Sequence, residues 1–334
     1  MKRSILIAIV GLLLCGCALG QPAGADDVYA RVVDVGAGLC CVVRMPGNHY
    51  MVYDAGNYTD SGASAFDAVR EIIPEGEEID LMVLSHSDSD HQGAVDEICD
   101  AYDVKRVIRS GLERSSGTWR DADAAIRLEK ERHGCIDINL KDFEFPPGGT
   151  YRFGDTFVTM VFGLHKPPED WTGLSQAEER NATSIVMRLV YKGRSILFCG
   201  DTVGRHIGAP ENQLIAAEKA MIDNAVVIPI DSDVMIAPHH GADNASTPAF
   251  IAAVSPTYVV FSAGHRFEHP TKVAAERYVA AGVPVAHMFR TDRGDDEGAA
   301  EWDHERVNGQ HDSARDDDVE IVLRADGSIS VAYR

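Results

Sequence analysis

The sequence LSHSDSDHQG, residues 84–93, places two histidines and two aspartates within six positions, namely His86, Asp88, Asp90 and His91. It follows directly on the mostly apolar run IDLMVL, residues 79–84. A short apolar run that ends in such a cluster is typical of a buried strand whose C-terminal end reaches a functional site. Imidazoles and carboxylates suit Zn²⁺, Mn²⁺ or Fe, and they do not make a soft thiolate site. The alternative is a polar turn that caps a helix over residues 91–101, although one Ser or Asp is enough for a cap.

This motif resembles a known family signature. His86-Ser-Asp88-Ser-Asp90-His91 is similar to the HxHxDH signature of the metallo-β-lactamase superfamily, with Asp88 in place of the middle histidine. The variant looks like the extracytoplasmic hydrolase domain of ComEC-type DNA-internalisation proteins. Five further segments resemble family motifs in the same order: VDVGAG (33–38), VYDAG (52–56), ILFCGD (196–201), MIAPHHG (235–241), and FSAG (261–264) followed by His269-Pro270. The ordered set is far more specific than any one piece.

The resemblance implies the architecture. It predicts an α/β (α+β) protein with an αββα metallo-β-lactamase-like sandwich, in which two mixed sheets are stacked face to face beneath outer helices. The hydrolase domain is predicted over residues 28–334, with the site at one edge of the sheets. Two departures from the family are Ala37 and Leu39, which remove a polar pair near the site. No membrane-channel domain is recognised, so DNA transport is not implied.

The resemblance also implies a set of ligands for two divalent metal ions, with zinc and manganese the favoured metals. The predicted metal ligands are His86 and Asp88, with His165 as a further candidate, on the first ion, and Asp90, His91 and His240 on the second, with Asp201 as the bridge. His165 is not transferred from ComEC-type proteins, which usually have no histidine there.

Further roles are predicted around the metals. Asp90 is the candidate for orienting the attacking water or accepting its proton. His239 is predicted either to support a metal ligand from behind or to act on the substrate's oxyanion, while His269 and Asn244 are candidate substrate contacts. Asp54 either orients a ligand histidine or only forms the turn before Gly56.

The implied chemistry is hydrolysis by water activated at a dinuclear site. The leading hypothesis is an exported metal-dependent hydrolase of a small-molecule phosphoester or phosphodiester, with nucleic acid as a possible substrate. A second hypothesis keeps the site and changes the substrate to a lactam, lactone or thioester, because a shared fold does not decide the substrate. A third is a non-catalytic surface module that binds metal, which the departures at Ala37 and Leu39 favour.

The N-terminal sequence predicts that the protein is exported from the cytoplasm. Lys2 and Arg3 precede an apolar run over residues 5–14, and residues 1–20 are predicted to be a leader. The sequence LCGC (14–17) resembles a bacterial lipobox with Cys17 as the lipid-attachment residue, so the membrane would be contacted through a lipid anchor only. Ordinary cleavage near Gly20 or Ala25 is the alternative.

Composition limits the choice of partner. The 334-residue chain has a formal net charge of −21, which counts against tight nonspecific binding of a polyanion but permits hydrolysis of a small phosphoester. Five cysteines lie beyond the leader, an odd number whose pairing the sequence does not specify. Residues 292–318 are highly charged and are expected to form a mobile acidic insertion loop. Residues 167–180 show no periodicity and are also predicted to be a loop. The sequence does not indicate the oligomeric state.

Overall fold

The computed structural model describes residues 22–57, 65–142, 146–294, 298–302 and 317–334. The predicted leader, with Cys17, lies outside these residues. None of the helices in the described ranges is long and apolar enough to cross a membrane.

The first sheet has eight strands. They are β1 (Val28–Val32), β2 (Cys40–Met45), β3 (His49–Ala55), β4 (Leu81–Leu84), β5 (Arg106–Arg109), β6 (Ile136–Asn139), β14 (Val319–Leu323) and β15 (Ile329–Tyr333), in the order β15-β14-β1-β2-β3-β4-β5-β6. Pairing from β3 to β6 is parallel, whereas the other pairs are antiparallel, so the sheet is mixed.

The second sheet has seven strands. They are β7 (Thr150–Phe153), β8 (Thr156–Phe162), β9 (Val186–Tyr191), β10 (Arg194–Phe198), β11 (Val234–Ile236), β12 (Tyr258–Phe261) and β13 (Met288–Arg290), in the order β13-β12-β11-β10-β9-β8-β7. The strands β10 to β13 pair in parallel, and those from β7 to β10 pair antiparallel. This sheet is also mixed, as predicted.

Helices cover the outer faces. The described ranges contain α1 (Ala65–Ile72), α2 (Val95–Ala101), α3 (Gly117–His133), α4 (Gln176–Ala182), α5 (Ala216–Asn224), α6 (Pro248–Val254) and α7 (Lys272–Ala280). Their starts follow ordinary capping chemistry: the Thr247 hydroxyl accepts the N–H of Phe250, and Pro248 occupies the first turn, where its missing donor costs nothing.

Side-chain alternation explains the layering. Along β2, Cys41 and Val43 belong to the apolar cluster between the two sheets, whereas Cys40 and Val42 face the cluster beneath α1, α2 and α3. Because successive strand residues point to opposite faces, a strand that is apolar throughout is covered on both sides. A third cluster packs α5, α6 and α7 on the second sheet. The αββα sandwich is therefore confirmed.

Two expectations for the chain are corrected. Residues 167–180 are not all loop, because α4 begins at Gln176 behind a capping box in which Ser175 and Glu178 bind each other's backbone N–H groups. The acidic insertion is not solvated at its described ends: Asp292 and Glu301 are buried, and both carboxylates contact the buried guanidinium of Arg290. A buried guanidinium needs such partners.

The cysteines within the described ranges carry free thiols. All five are buried: Cys40, Cys41, Cys99, Cys135 and Cys199. Burial raises the pKa of the Cys199 thiol well above its ordinary value, so this residue behaves as a small apolar strand side chain.

Candidate metal centre

Asp201, immediately after β10, lies between two pairs of histidines. Its Oδ1 is 3.2 Å from Nε2 of His91 and 3.4 Å from Nε2 of His240. Its Oδ2 is 3.8 Å from Nε2 of His86 and 3.8 Å from Nε2 of His239. One buried carboxylate thus faces a different imidazole pair with each oxygen, which is the arrangement expected of a bridging ligand.

Asp90 completes the group on the solvent side. Its Oδ2 lies 3.8 Å from Nε2 of His240. One ligand atom each from Asp90, His91, Asp201 and His240 all lie within 4.8 Å of one another. The Asp90 side chain is 19% exposed, against at most 6% for the other three, so Asp90 is the member that incoming water or substrate meets first.

A buried hydrogen-bond chain fixes two of the imidazoles. Nδ1 of His91 lies 2.8 Å from Oδ2 of Asp54, and the Ser85 hydroxyl donates to the same oxygen at 2.7 Å. Because that hydroxyl gives its proton to Asp54, it accepts from Nδ1 of His86 at 3.0 Å. Both Nδ1 atoms are therefore donors, and both Nε2 atoms keep their lone pairs for a metal.

The other two imidazoles, those of His240 and His239, are also held through Nδ1. Nδ1 of His240 lies 2.6 Å from the carbonyl oxygen of Ser262. Nδ1 of His239 lies 2.7 Å from Oδ1 of Asn244, while Nε2 of His239 lies 3.0 Å from Nδ2 of Asn181. The Nε2 atoms of all four imidazoles thus face Asp201. That of His239 also accepts an N–H of Asn181.

This donor set fits a divalent cation. The Nε2 atoms of His91 and His240 are 3.2 Å apart, close enough to share either a proton or one metal ion. The Nε2 of His86 is buried and has no hydrogen-bond partner among the described residues. A buried polar atom normally has a partner, and a metal ion would supply one here.

The electrostatics favour positive charge. Burial acts to lower the pKa of His91, but the carboxylates of Asp201 and Asp54 outweigh it and hold that pKa well above its usual value. Burial acts to raise the pKa of Asp201, but the imidazoles of His91, His240 and His239 hold it well below the usual range. The carboxylate is therefore ionised and available to a cation.

Two glycines let the strand ends approach the motif. A Cβ on Gly56 would lie 2.0 Å from the carbonyl oxygen of Asp90, and one on Gly38 would lie 2.6 Å from the same atom. That carbonyl accepts the N–H of Leu39 at 3.0 Å. The absence of a Cβ at Gly38 and Gly56 thus allows the backbone of Asp90 to pack closely against the VDVGAG and VYDAG segments.

The family model described as the metallo-beta-lactamase superfamily matches residues 33–265. The chain belongs to this superfamily. The resemblance drawn from the motif order is therefore confirmed, and membership implies divalent metal ions at a hydrolytic centre.

Relatives within the superfamily are distant. The chain is 26% identical over 286 residues to "Competence protein ComA" of Neisseria gonorrhoeae, a match that covers 84% of this chain and 34% of that protein, so the chain spans about a third of its relative's length. The metallo-beta-lactamase fold protein YhfI of Bacillus subtilis has a TM-score of 0.48 and 12% identity, over 79% of this chain and 96% of its own. Igni18, a metallo hydrolase of Ignicoccus hospitalis, has a TM-score of 0.44 and 13% identity, over 76% and 92%.

Asp88 is not brought into the metal group. Its Oδ1 accepts from Nε of Arg180 at 2.6 Å, and its Oδ2 lies 3.4 Å from Nη1 of Arg114. With both oxygens turned to guanidinium groups, the expectation that Asp88 is a metal ligand is corrected. Burial acts to raise the pKa of Asp88, but its interactions with His86, Arg180 and Arg114 hold that pKa below its usual value.

His165 is also outside the group. It lies exposed in the loop after β8, and no cluster of potential ligands in the described ranges includes it. An imidazole in open solvent has no neighbouring ligand with which to hold an ion, so this expectation is corrected as well.

The predicted catalytic and substrate contacts lie around His239. The ring of His269 is 5.8 Å from that of His239 and 6.3 Å from that of His240, on the rim of the group. Burial and these two imidazoles lower the pKa of His269 to about 3, so its ring is neutral. Asn244 is almost fully buried behind His239, where it accepts from Nδ1, and it is therefore a partner of that histidine and not a free substrate contact.

The site residues that the sequence did not predict lie mainly on α4. Asn181 contacts His239, and the preceding Arg180 holds Asp88. The capping-box pattern Ser175-x-x-Glu178 was the signal that could have revealed this helix. Ser85 and Ser262 were also missed, because a serine or a carbonyl that orients a histidine has no pattern of its own.

A second group of potential ligands carries less weight. Asp103, Glu129 and His133 offer atoms within 4.8 Å of one another. Asp103 and His133 are exposed and pair with each other at 2.9 Å, and Glu129 already accepts the N–H of Val104. Pairing among themselves satisfies these side chains, so the metal centre is assigned to the group around Asp201.

Proposed function

We propose that this protein is a metal-dependent phosphoesterase that acts on a phosphodiester, and that it uses two divalent ions, zinc or manganese. The observation that carries the proposal is the position of Asp201 between two imidazole pairs. His86 and His239 would hold one ion, and Asp90, His91 and His240 the other. Nucleic acid is the favoured natural substrate, because the relative named as a competence protein is 26% identical across most of this chain.

Bound divalent ions at such a centre bring the pKa of a coordinated water toward neutrality and offset the negative charge of the transferred group. The protein's own residues then have separate tasks. Asp54 and Ser85 hold His91 and His86 in one tautomer. Asp90, the partly exposed carboxylate, is placed to accept the proton that water loses. Asn244 and Asn181 hold His239 beside Oδ2 of Asp201, where it would help to hold the first ion.

The test is turnover by metal-loaded protein. Purified protein is stripped of metal, reloaded with Zn²⁺ or Mn²⁺, and assayed on bis(p-nitrophenyl) phosphate and on single-stranded DNA. We expect metal-dependent hydrolysis that falls by about 10²- to 10⁴-fold in Asp90→Ala. Asp231→Ala, at an exposed position in the loop before β11, is the control and should keep full activity.

The substrate panel decides among the alternatives. A chromogenic lactam, a lactone and a thioester are assayed beside the phosphodiesters. Turnover of one of these without turnover of any phosphoester would contradict the proposed substrate class. Stoichiometric metal with no turnover of any substrate would indicate a metal-binding module instead of an enzyme.

Export is a separate part of the proposal. Lys2 and Arg3, the apolar residues 5–14 and Cys17 support a lipid-anchored protein of the bacterial cell envelope. In a bacterial host we expect the full chain to incorporate labelled fatty acid and to sediment with membranes. Cys17→Ser should abolish both. Labelling that persists in this variant, or protein that stays in the cytoplasm, would contradict this assignment.

A further inference from the structure

Asp88 joins two arginines that are distant in sequence. Arg180, on α4, places Nε 2.6 Å from Oδ1 and Nη2 3.5 Å from Oδ2. Arg114, in the loop between β5 and α3, places Nη1 3.4 Å from Oδ2. Two guanidinium groups and one carboxylate leave one positive charge in excess, in a chain whose formal net charge is −21.

This arginine pair adjoins the metal centre from two sides. Asp88 lies two residues after His86, whose Nε2 faces Asp201. Arg180 directly precedes Asn181, whose amide nitrogen is 3.0 Å from Nε2 of His239. Positive charge is therefore held next to the imidazole pair His86 and His239.

Both guanidinium groups remain accessible. The side chain of Arg180 is 18% exposed and that of Arg114 is 40% exposed. Nη1 of Arg180 also donates to the carbonyl of Gln176, which fixes the orientation of the group. For Arg114, the contact with Asp88 is the one ion pair found within the described ranges. Its remaining N–H groups are free to meet an anion.

We propose that Arg114 and Arg180 bind the anionic phosphate of the substrate beside the metal centre, and that Asp88 is the positioning residue that holds both arginines there. The proposal rests on the proposed phosphoesterase function and extends it to substrate selection. Guanidinium N–H groups match phosphate oxygens in geometry and keep their charge at all working pH values. A neutral lactam or lactone gains nothing from this pair, so the pair selects for anionic substrates.

Asp88→Asn separates this role from that of a metal ligand. Asparagine keeps an oxygen that can accept from Nε of Arg180, and it removes the negative charge that offsets the two arginines. We expect bound metal per chain to stay unchanged and the Ki of inorganic phosphate to rise several-fold, because Arg114 loses the carboxylate oxygen that holds it in position. A metal ligand would behave differently, because its loss would lower the metal content.

The arginine variants test the binding role directly. Arg114→Ala and Arg180→Ala should each raise KM for bis(p-nitrophenyl) phosphate about tenfold, with little change in kcat or in KM for the neutral ester p-nitrophenyl acetate. Arg180→Lys keeps the charge and should recover part of the effect while preserving the fold. Arg188→Ala is the matched control, because Arg188 is 17% exposed and pairs with Asp231 on the second sheet.

Calorimetric binding of inorganic phosphate to the metal-loaded protein keeps this test separate from that of the proposed function. If no phosphodiester is hydrolysed, the proposed function fails, while weaker phosphate binding in both arginine variants still supports the anion site. Unchanged phosphate affinity in both variants overturns the proposal. Equal losses for anionic and neutral substrates, or loss of metal in Asp88→Asn, also overturn it.

Discussion

Nδ1 of His91 lies 2.8 Å from Oδ2 of Asp54, and both side chains are fully buried. Asp54 also accepts the backbone N–H and the hydroxyl of Ser85, so one carboxylate orients the start of the motif and its last histidine together. Its backbone has a φ of 55°, a left-handed conformation that a non-glycine residue rarely adopts. Such a backbone persists where the surrounding contacts determine it.

Asp54→Asn should therefore weaken metal binding, although it removes none of the residues proposed to bind the metal. An amide accepts with one atom only, so either His91 or Ser85 loses its acceptor. We expect metal affinity to fall about 10- to 100-fold, measured by competition with a chromogenic chelator. The control is Asp80→Asn, which breaks a similar contact with His49 at 3.0 Å and should leave the affinity unchanged. Equal affinity in wild type and Asp54→Asn would contradict the orienting role.

The order of motifs was enough to predict the sandwich and most of the group around Asp201. The carboxyl ends of parallel strands meet at one edge of a sheet, so β10 and β11 of the second sheet bring Asp201 and His240 together. The end of β4, in the first sheet, brings His91 to the same place. Which of these residues bind an ion stays a prediction. The local sequence does predict where these residues lie in the fold, because each motif begins where a buried strand ends.

The same reasoning could not predict the direction in which Asp88 points. Its partner Arg180 is 92 residues away on a helix that the sequence pattern did not reveal. Spacing alone makes Asp88 equivalent to a ligand, and only the packing of α4 turns it away.

Asp201→Ala should abolish the stabilisation that metal gives to the fold. A ligand at 100 times its Kd stabilises the native state by about 2.7 kcal/mol. Adding Zn²⁺ or Mn²⁺ should therefore raise the Tm of the wild type, and it should leave that of Asp201→Ala unchanged because both imidazole pairs lose their shared carboxylate. Metal analysis by mass spectrometry provides the second measurement. A variant that still carries two ions would show that Asp201 is not the bridge.

The ion pair at the start of the acidic insertion should be important for stability. Asp292 and Arg290 are each 2% exposed, with Oδ1 and Nε 2.7 Å apart. Asp292 is the nearer of the two buried carboxylates on Arg290, and Glu301 remains when it is removed. Because the buried guanidinium then keeps one partner of two, Asp292→Ala should lower the free energy of unfolding by about 3 kcal/mol, the low end for a broken buried pair. Asp155→Ala breaks the exposed pair with Lys192 and should cost much less, because solvent screens that pair. Urea denaturation of both variants checks the contrast, and equal losses would contradict it.

Glu218 should make the protein less stable as the pH rises from about 4.5 to about 7. This carboxyl is fully buried and accepts from the backbone N–H groups of Ser246 and Thr247. Burial raises its pKa from 4.5 to about 7, against the opposing effect of those hydrogen bonds. The unfolded chain therefore releases this proton at a lower pH than the folded protein does. The stabilisation is complete below pH 4.5 and is lost by about pH 7.

The expected size of the effect follows from the shift. At 1.36 kcal/mol per pKa unit, the contribution of Glu218 amounts to about 3 kcal/mol between the two limits. Urea denaturation at pH 5 and pH 8, with EDTA present to remove metal effects, measures it as the difference between wild type and Glu218→Gln. The variant should be less stable than wild type at pH 5, because its amide replaces one acceptor oxygen, yet it should lose less stability on going to pH 8. Glu276→Gln, at an exposed position on α7, should show the same pH dependence as wild type. If Glu218→Gln also matches the wild-type pH dependence, the buried carboxyl is ionised throughout this range and the raised pKa is wrong.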